Sequence, residues 1–170
     1  MWRWIKIPKA VALLAFLLPW MSVSCSNNTL VSATGFGLAA GKFTSELPGR
    51  TPATGEWNLY LVIAITALVM GLVIAFLRRG RTTAGLSLTT TAAALLFIWL
   101  GTSRYTKAAV LEQASKTRAT AVSEVEQAAA SMINVNWHYG YWLALAALLA
   151  AAAIAALVLS GKDPDFEQRR

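Results

Sequence analysis

The feature that most constrains this chain is a run of 19 residues, Leu59 to Leu77, without one charged side chain. About 20 apolar residues in helical form cross the ~30 Å hydrocarbon core of a bilayer, so the run predicts a transmembrane helix. Trp57 and Tyr60 mark one end of it, as interfacial aromatics do, and Arg78, Arg79 and Arg81 mark the other. Thr82 to Gly101 forms a second such run. Its first half is polar, with Ser87, Thr89, Thr90 and Thr91, and its second half is strongly apolar. Tyr139 to Leu159 forms a third, entered through Trp137, Tyr139, Tyr141 and Trp142. Only 14% of the chain is charged, where a soluble domain carries about a quarter.

The N-terminal apolar run, Ala10 to Val23, is 14 residues long and short of a span. Starting at Ile5 brings it to length if Lys6 and Lys9 snorkel back to the headgroups. Pro19 should then kink its outer end. The same segment also reads as a signal peptide cut before Cys25, with Ser22 and Ser24 as the small residues, or as a lipoprotein leader acylating Cys25. The uncleaved reading predicts an all-α integral membrane fold. It is one domain over 1–170, with four transmembrane helices at about 5–24, 58–77, 82–101 and 139–160.

Two outer segments, 25–57 and 102–138, join these spans. Gly35, Gly37, Gly41, Pro48, Gly49, Pro52 and Gly55 argue against long regular structure in the first. Thr29 to Ala33 could form a short strand there, and Phe36 to Ala40 could dip into the interface. From Thr102 to Tyr139 there is no Gly or Pro, which predicts an amphipathic outer helix between spans 3 and 4. Val122 and Val125 lie on its apolar face, and Arg118 intrudes there. Asn134 and Asn136 are stop signals before the chain returns to the membrane.

Charge sets the expected orientation. Nine of the 15 Lys and Arg fall in the three short inner segments, and six in the longer outer ones. Positive-inside therefore places both termini in the cytoplasm. The net charge of +7 is accounted for by these flanks, with no basic domain to bind nucleic acid. One cysteine and one histidine, Cys25 and His138, make a protein-only metal site improbable, and no cofactor motif is present. None of the eight acidic residues lies in a span. Ion-coupled transport and proton relays need intramembrane charge, so both are weakened. No carboxylate pair or nucleophile-base set converges in the sequence either, which predicts a non-enzyme.

The segment Leu18-Pro19-Trp20-Met21-Ser22-Val23-Ser24-Cys25, followed by Thr34-Gly35-Phe36-Gly37-Leu38-Ala39-Ala40-Gly41, resembles a pattern in uncharacterised bacterial multi-pass membrane proteins. The resemblance implies a bacterial envelope setting and an uncleaved first span, and it implies no activity; the multi-pass topology makes the inner (cytoplasmic) membrane the expected location. The combined expectation is a non-enzymatic accessory or scaffold subunit of a larger membrane assembly. Its partners would be the lipid bilayer and other membrane subunits or further copies of itself. The contact residues would be Arg118, Val122 and Val125 on the outer helix and Ala147, Ala151 and Ala155, whose spacing of four lets a helix approach closely. The competing expectation is a small channel or transporter for a neutral solute, lined by Thr89 to Thr91.

Overall fold

The structure is a computed structural model, and it describes residues 6–25, 28–45, 53–77, 81–106 and 133–160. The chain begins with helix α1 (Lys6–Ala15), strands β1 (Pro19–Cys25) and β2 (Asn28–Thr34), and helix α2 (Gly35–Ala40). Strands β3 (Lys42–Ser45) and β4 (Ala53–Thr54) follow, then helices α3 (Leu59–Leu77) and α4 (Arg81–Ser103). Strand β5 (Ile133–Trp137) and helix α5 (Tyr139–Leu159) complete it. The fold is mixed α/β, which corrects the expectation of an all-α protein with four spans. Three helices, α3, α4 and α5, are long and apolar enough to cross a membrane.

The first predicted span is where the expectation fails. Instead of one helix over 5–24, α1 stops at Ala15. Its last turn tightens through bonds from the amides of Phe16, Leu17 and Leu18 to the carbonyls three residues back. Pro19 has no N–H to continue the ladder, and it pushes Leu18 toward extended backbone. The chain then enters β1. Trp20 falls at a register shift between the pairs Pro19–Thr34 and Met21–Ala33. Such a bulge bends the strand and re-aims the side chain at it.

β1 lies between β2 and β5 in an antiparallel five-stranded sheet of order β4-β3-β2-β1-β5. The longer outer segment therefore ends in a strand, not in helix. Asn134 and Asn136, expected as stop signals, pair across β5 with Ser24 and Ser22. The rest of the predicted outer helix, with Arg118, Val122 and Val125, lies outside the described residues. In the first outer segment the expected strand is present and longer, as β2. Phe36 to Ala40 is α2, capped by the Thr34 hydroxyl accepting from Gly37 N–H at 3.0 Å. Gly41 ends α2 at φ 64°, a left-handed conformation, and a side chain there would strike the carbonyl of Gly55.

The core joins sheet to helices. Phe16, Trp20, Leu38, Leu61, Ile98 and Leu148 are fully buried in one cluster. The Trp20 indole N–H donates to Ala15 O at 2.8 Å, satisfying a carbonyl at the end of α1. Its ring lies 4.4 Å from Phe16 and 5.6 Å from Tyr141. Two glycines make room for it. A Cβ on Gly35 would sit 2.7 Å from Trp20 Cε2, and one on Gly140 would sit 2.6 Å from Pro19 O and 3.0 Å from Trp20 Cδ1. Along the bundle, α3 and α4 form an antiparallel hairpin. Asn58, buried, donates to Gly101 O at 2.9 Å and accepts from Leu61 N–H, which caps α3 and ties it to the end of α4.

Gly140→Ala should therefore overpack the joint. Backbone oxygen cannot move aside as a flexible side chain can, so the expected loss is about 1–3 kcal/mol. Thermal unfolding in detergent should show a lowered midpoint with unchanged helix content in the folded protein.

Candidate functional site

Lysine in a membrane-flanking helix ordinarily stretches to water. Lys6 comes close to this, with its Nζ 4.1 Å from the Phe76 ring at the far end of α3. Lys9, one turn further along, does not. It is 1% exposed and lies on the same face of α1 as Ala12 and Ala15, both fully buried. The expected snorkelling of Lys9 is thus corrected: the lysine enters the helical interior.

Three acceptors surround the ammonium. Lys9 Nζ donates to Ser87 Oγ at 2.8 Å and to Ser87 O at 3.1 Å, with Thr90 Oγ1 at 3.5 Å. All belong to α4, and α3 supplies the space. A Cβ on Gly71 would lie 2.8 Å from Lys9 Nζ and would strike Thr90 Oγ1. The pocket is therefore a slot between three helices that only a residue without a side chain leaves open. Ser87 is six residues into α4, or about 9 Å along its axis, so the contact sits inside the bundle and not at its rim. The only acidic residue among the described residues is Glu56, which precedes α3 at the opposite end. Lys9 is met there by neutral oxygens alone.

The hydroxyls near it are committed. Thr90 Oγ1 donates to Ser87 O at 3.0 Å and Thr91 Oγ1 to the same oxygen at 2.7 Å. Thr89 Oγ1 donates to Leu86 O at 2.9 Å. Ser87 and Thr91 are buried. The cluster bonds back to its own helix, and through Ser87 and Thr90 it also meets Lys9, which ties α1 to α4.

The remaining candidates sit elsewhere. Ala147, Ala151 and Ala155 are buried along α5, which packs on α1 and α4, so this chain's own helices cover the small-residue face. Cys25 ends β1, with its backbone in register with Asn28 and Ile133. His138 precedes α5, and its Nε2 lies 2.8 Å from Ser22 Oγ. A serine beside an imidazole is a nucleophile-base pair in form. Ser22 is 6% exposed, however, and the backbone N–H of His138 donates to Trp20 O at 2.8 Å. The pair clasps β1 to the start of α5.

The sequence carried a signal for the Lys9 site that composition does not show. Counted from the Arg78–Arg81 turn, Gly71 lies about two turns back along α3, and Ser87 with Thr90 lies two to three turns forward along α4. A hairpin brings such positions level. Compared with protein families, curated proteins and solved structures, the chain matches none.

The slot predicts an asymmetry. Lys9→Met keeps the volume, removes a buried charge and should change stability by less than about 1.5 kcal/mol. Ser87→Ala strips the ammonium of its shortest acceptor and should cost about 1–3 kcal/mol. Chemical unfolding in detergent micelles ranks the two variants, and a larger loss for Lys9→Met would refute the assignment.

Proposed function

We propose that the chain is a membrane-spanning, non-enzymatic accessory or scaffold subunit, one that holds a small sheet platform at one surface of the bilayer. The observation that carries this reading is the fate of the polar groups. Lys9, Asn58, Ser87, Thr91 and Thr102 are all buried, and each is hydrogen bonded inside the chain. The interior has been spent on holding the helices together. The sheet end is left as the part that differs from a plain bundle.

Several features support the membrane setting. α5, at 21 residues, is about 30 Å long, close to the thickness of a hydrocarbon core. Leu86, Leu96, Leu149 and Leu157 are exposed along the helices, which water would penalise and lipid would not. Trp57, Trp99, Tyr139 and Trp142 are also exposed, all toward the sheet end, as an aromatic belt would be. With the basic turn at Arg78–Arg81 facing the cytoplasm, the platform faces outward from a bacterial inner membrane. No comparable observation favours a solute path, because the threonines proposed to line it are committed to backbone carbonyls.

Native mass spectrometry after gentle extraction from the native membrane tests this. The expected result is a defined assembly larger than the chain. A lone monomer across extraction conditions would remove the subunit reading.

A further inference from the structure

Beside the joint that holds Trp20, the short helix α2 lies against the start of α3 and leaves a gap of about 230 Å³. Phe36, Ala39 and Ala40 form one wall, Val62, Ile65 and Thr66 the other, and Trp57 stands at the mouth. The lining is almost wholly carbon. Its one hydroxyl, Thr66 Oγ1, is already donated to Val62 O at 2.9 Å. Water entering the gap would find little to bond, so an apolar occupant is favoured.

We infer that this groove is a binding site for a single lipid acyl chain from the leaflet on the sheet side. The inference rests on the membrane-spanning reading above. Size argues for one chain of methylenes and against a partner helix, which is about 10–12 Å across with its side chains. Continuity argues for entry from the bilayer. Val62, Thr66, Val69 and Val73 recur at helical spacing, so the groove opens onto a stripe of α3 where Val69 and Val73 are 39% and 44% exposed. Position argues for lipid as well, because Trp57, 76% exposed, sits at the polar end of that stripe.

The site is also formed in advance. α2 is pinned at its start by the Phe36 N–H donating to Phe16 O at 3.0 Å. Its end is held by the Asn58 N–H donating to Ala39 O at 3.0 Å and the Gly55 N–H to Gly41 O at 2.7 Å. A wall fixed at both ends cannot collapse onto α3 to close the gap. The small side chains of Ala39 and Ala40 keep it open.

The test uses the full chain in phosphatidylcholine vesicles doped with a phosphatidylcholine carrying a photoactivatable acyl chain. Crosslinks are mapped by mass spectrometry, with the exposed Leu149 and Leu157 face of α5 as the reference for ordinary lipid contact. Labelling of Phe36, Val62 and Ile65 should exceed the reference several-fold. Ala40→Trp, which fills the groove from α2, should abolish that excess and leave α5 labelling unchanged. Thr66→Trp, at an exposed position on the opposite wall, does the same if the first variant does not fold. Groove labelling equal to that on α5, or an excess that survives both fillings, overturns the site. Absence of label on α5 as well overturns the membrane reading and the site with it.

Discussion

A buried indole must place its N–H, and most of this architecture follows from where Trp20 places its own. The donor goes to Ala15 O, at the end of α1, so one bond serves both the aromatic and the helix terminus. That bond holds the tightened turn of residues 16–18 in place. The turn starts β1 at the height where α5 begins, and β1 then pairs with β2 on one side and β5 on the other. Gly35 and Gly140 are the complement. Each leaves out the one atom that would push the indole away. Helix end, strand start and two neighbouring elements are thus set by one side chain and the two absences around it.

A second constraint acts near the other end of the helices. An ammonium inside a bundle is tolerated when every proton finds an acceptor. Lys9 meets this condition with a carbonyl and two hydroxyls of α4. The arrangement costs α3 its side chain at position 71. In return the contact fixes α1 against the hairpin, because a slide would pull the ammonium from the Ser87 oxygens. Ala147, Ala151 and Ala155 do the complementary work on α5, where small size alone lets the helices close.

Legibility in the sequence followed the range of the signal. Long apolar runs with aromatic and basic ends are local facts, and helices occupy 59–77, 81–103 and 139–159 much as those runs predict. The first segment misled because its hydrophobicity is real while its fate depends on partners far away. Pro19 suggested a kink. With β2 and β5 available to pair, it marked a switch to strand. β5 was hidden because an Ile-Asn-Val-Asn-Trp alternation is short and sits after a helix-favouring stretch. Lys9 was read by the habit of lysine near an interface. Its real environment is set by Ser87, Thr90 and Gly71, and nothing near Lys9 in the sequence announces them.

The Lys9–Ser87 contact joins residues 78 positions apart, and that separation orders events in time. Synthesis runs from the N-terminus, so α1 emerges with a lysine whose acceptors do not yet exist. One edge of β1 is in the same position: β2 follows it at once, but its other partner, β5, comes only after α4. α1 and the β5 side of β1 therefore complete their contacts only once α4 and β5 have been made. The α3–α4 hairpin, whose helices follow each other closely in sequence, can form without them. The apolar, basic α1 therefore has no place for its ammonium until α4 exists to receive it.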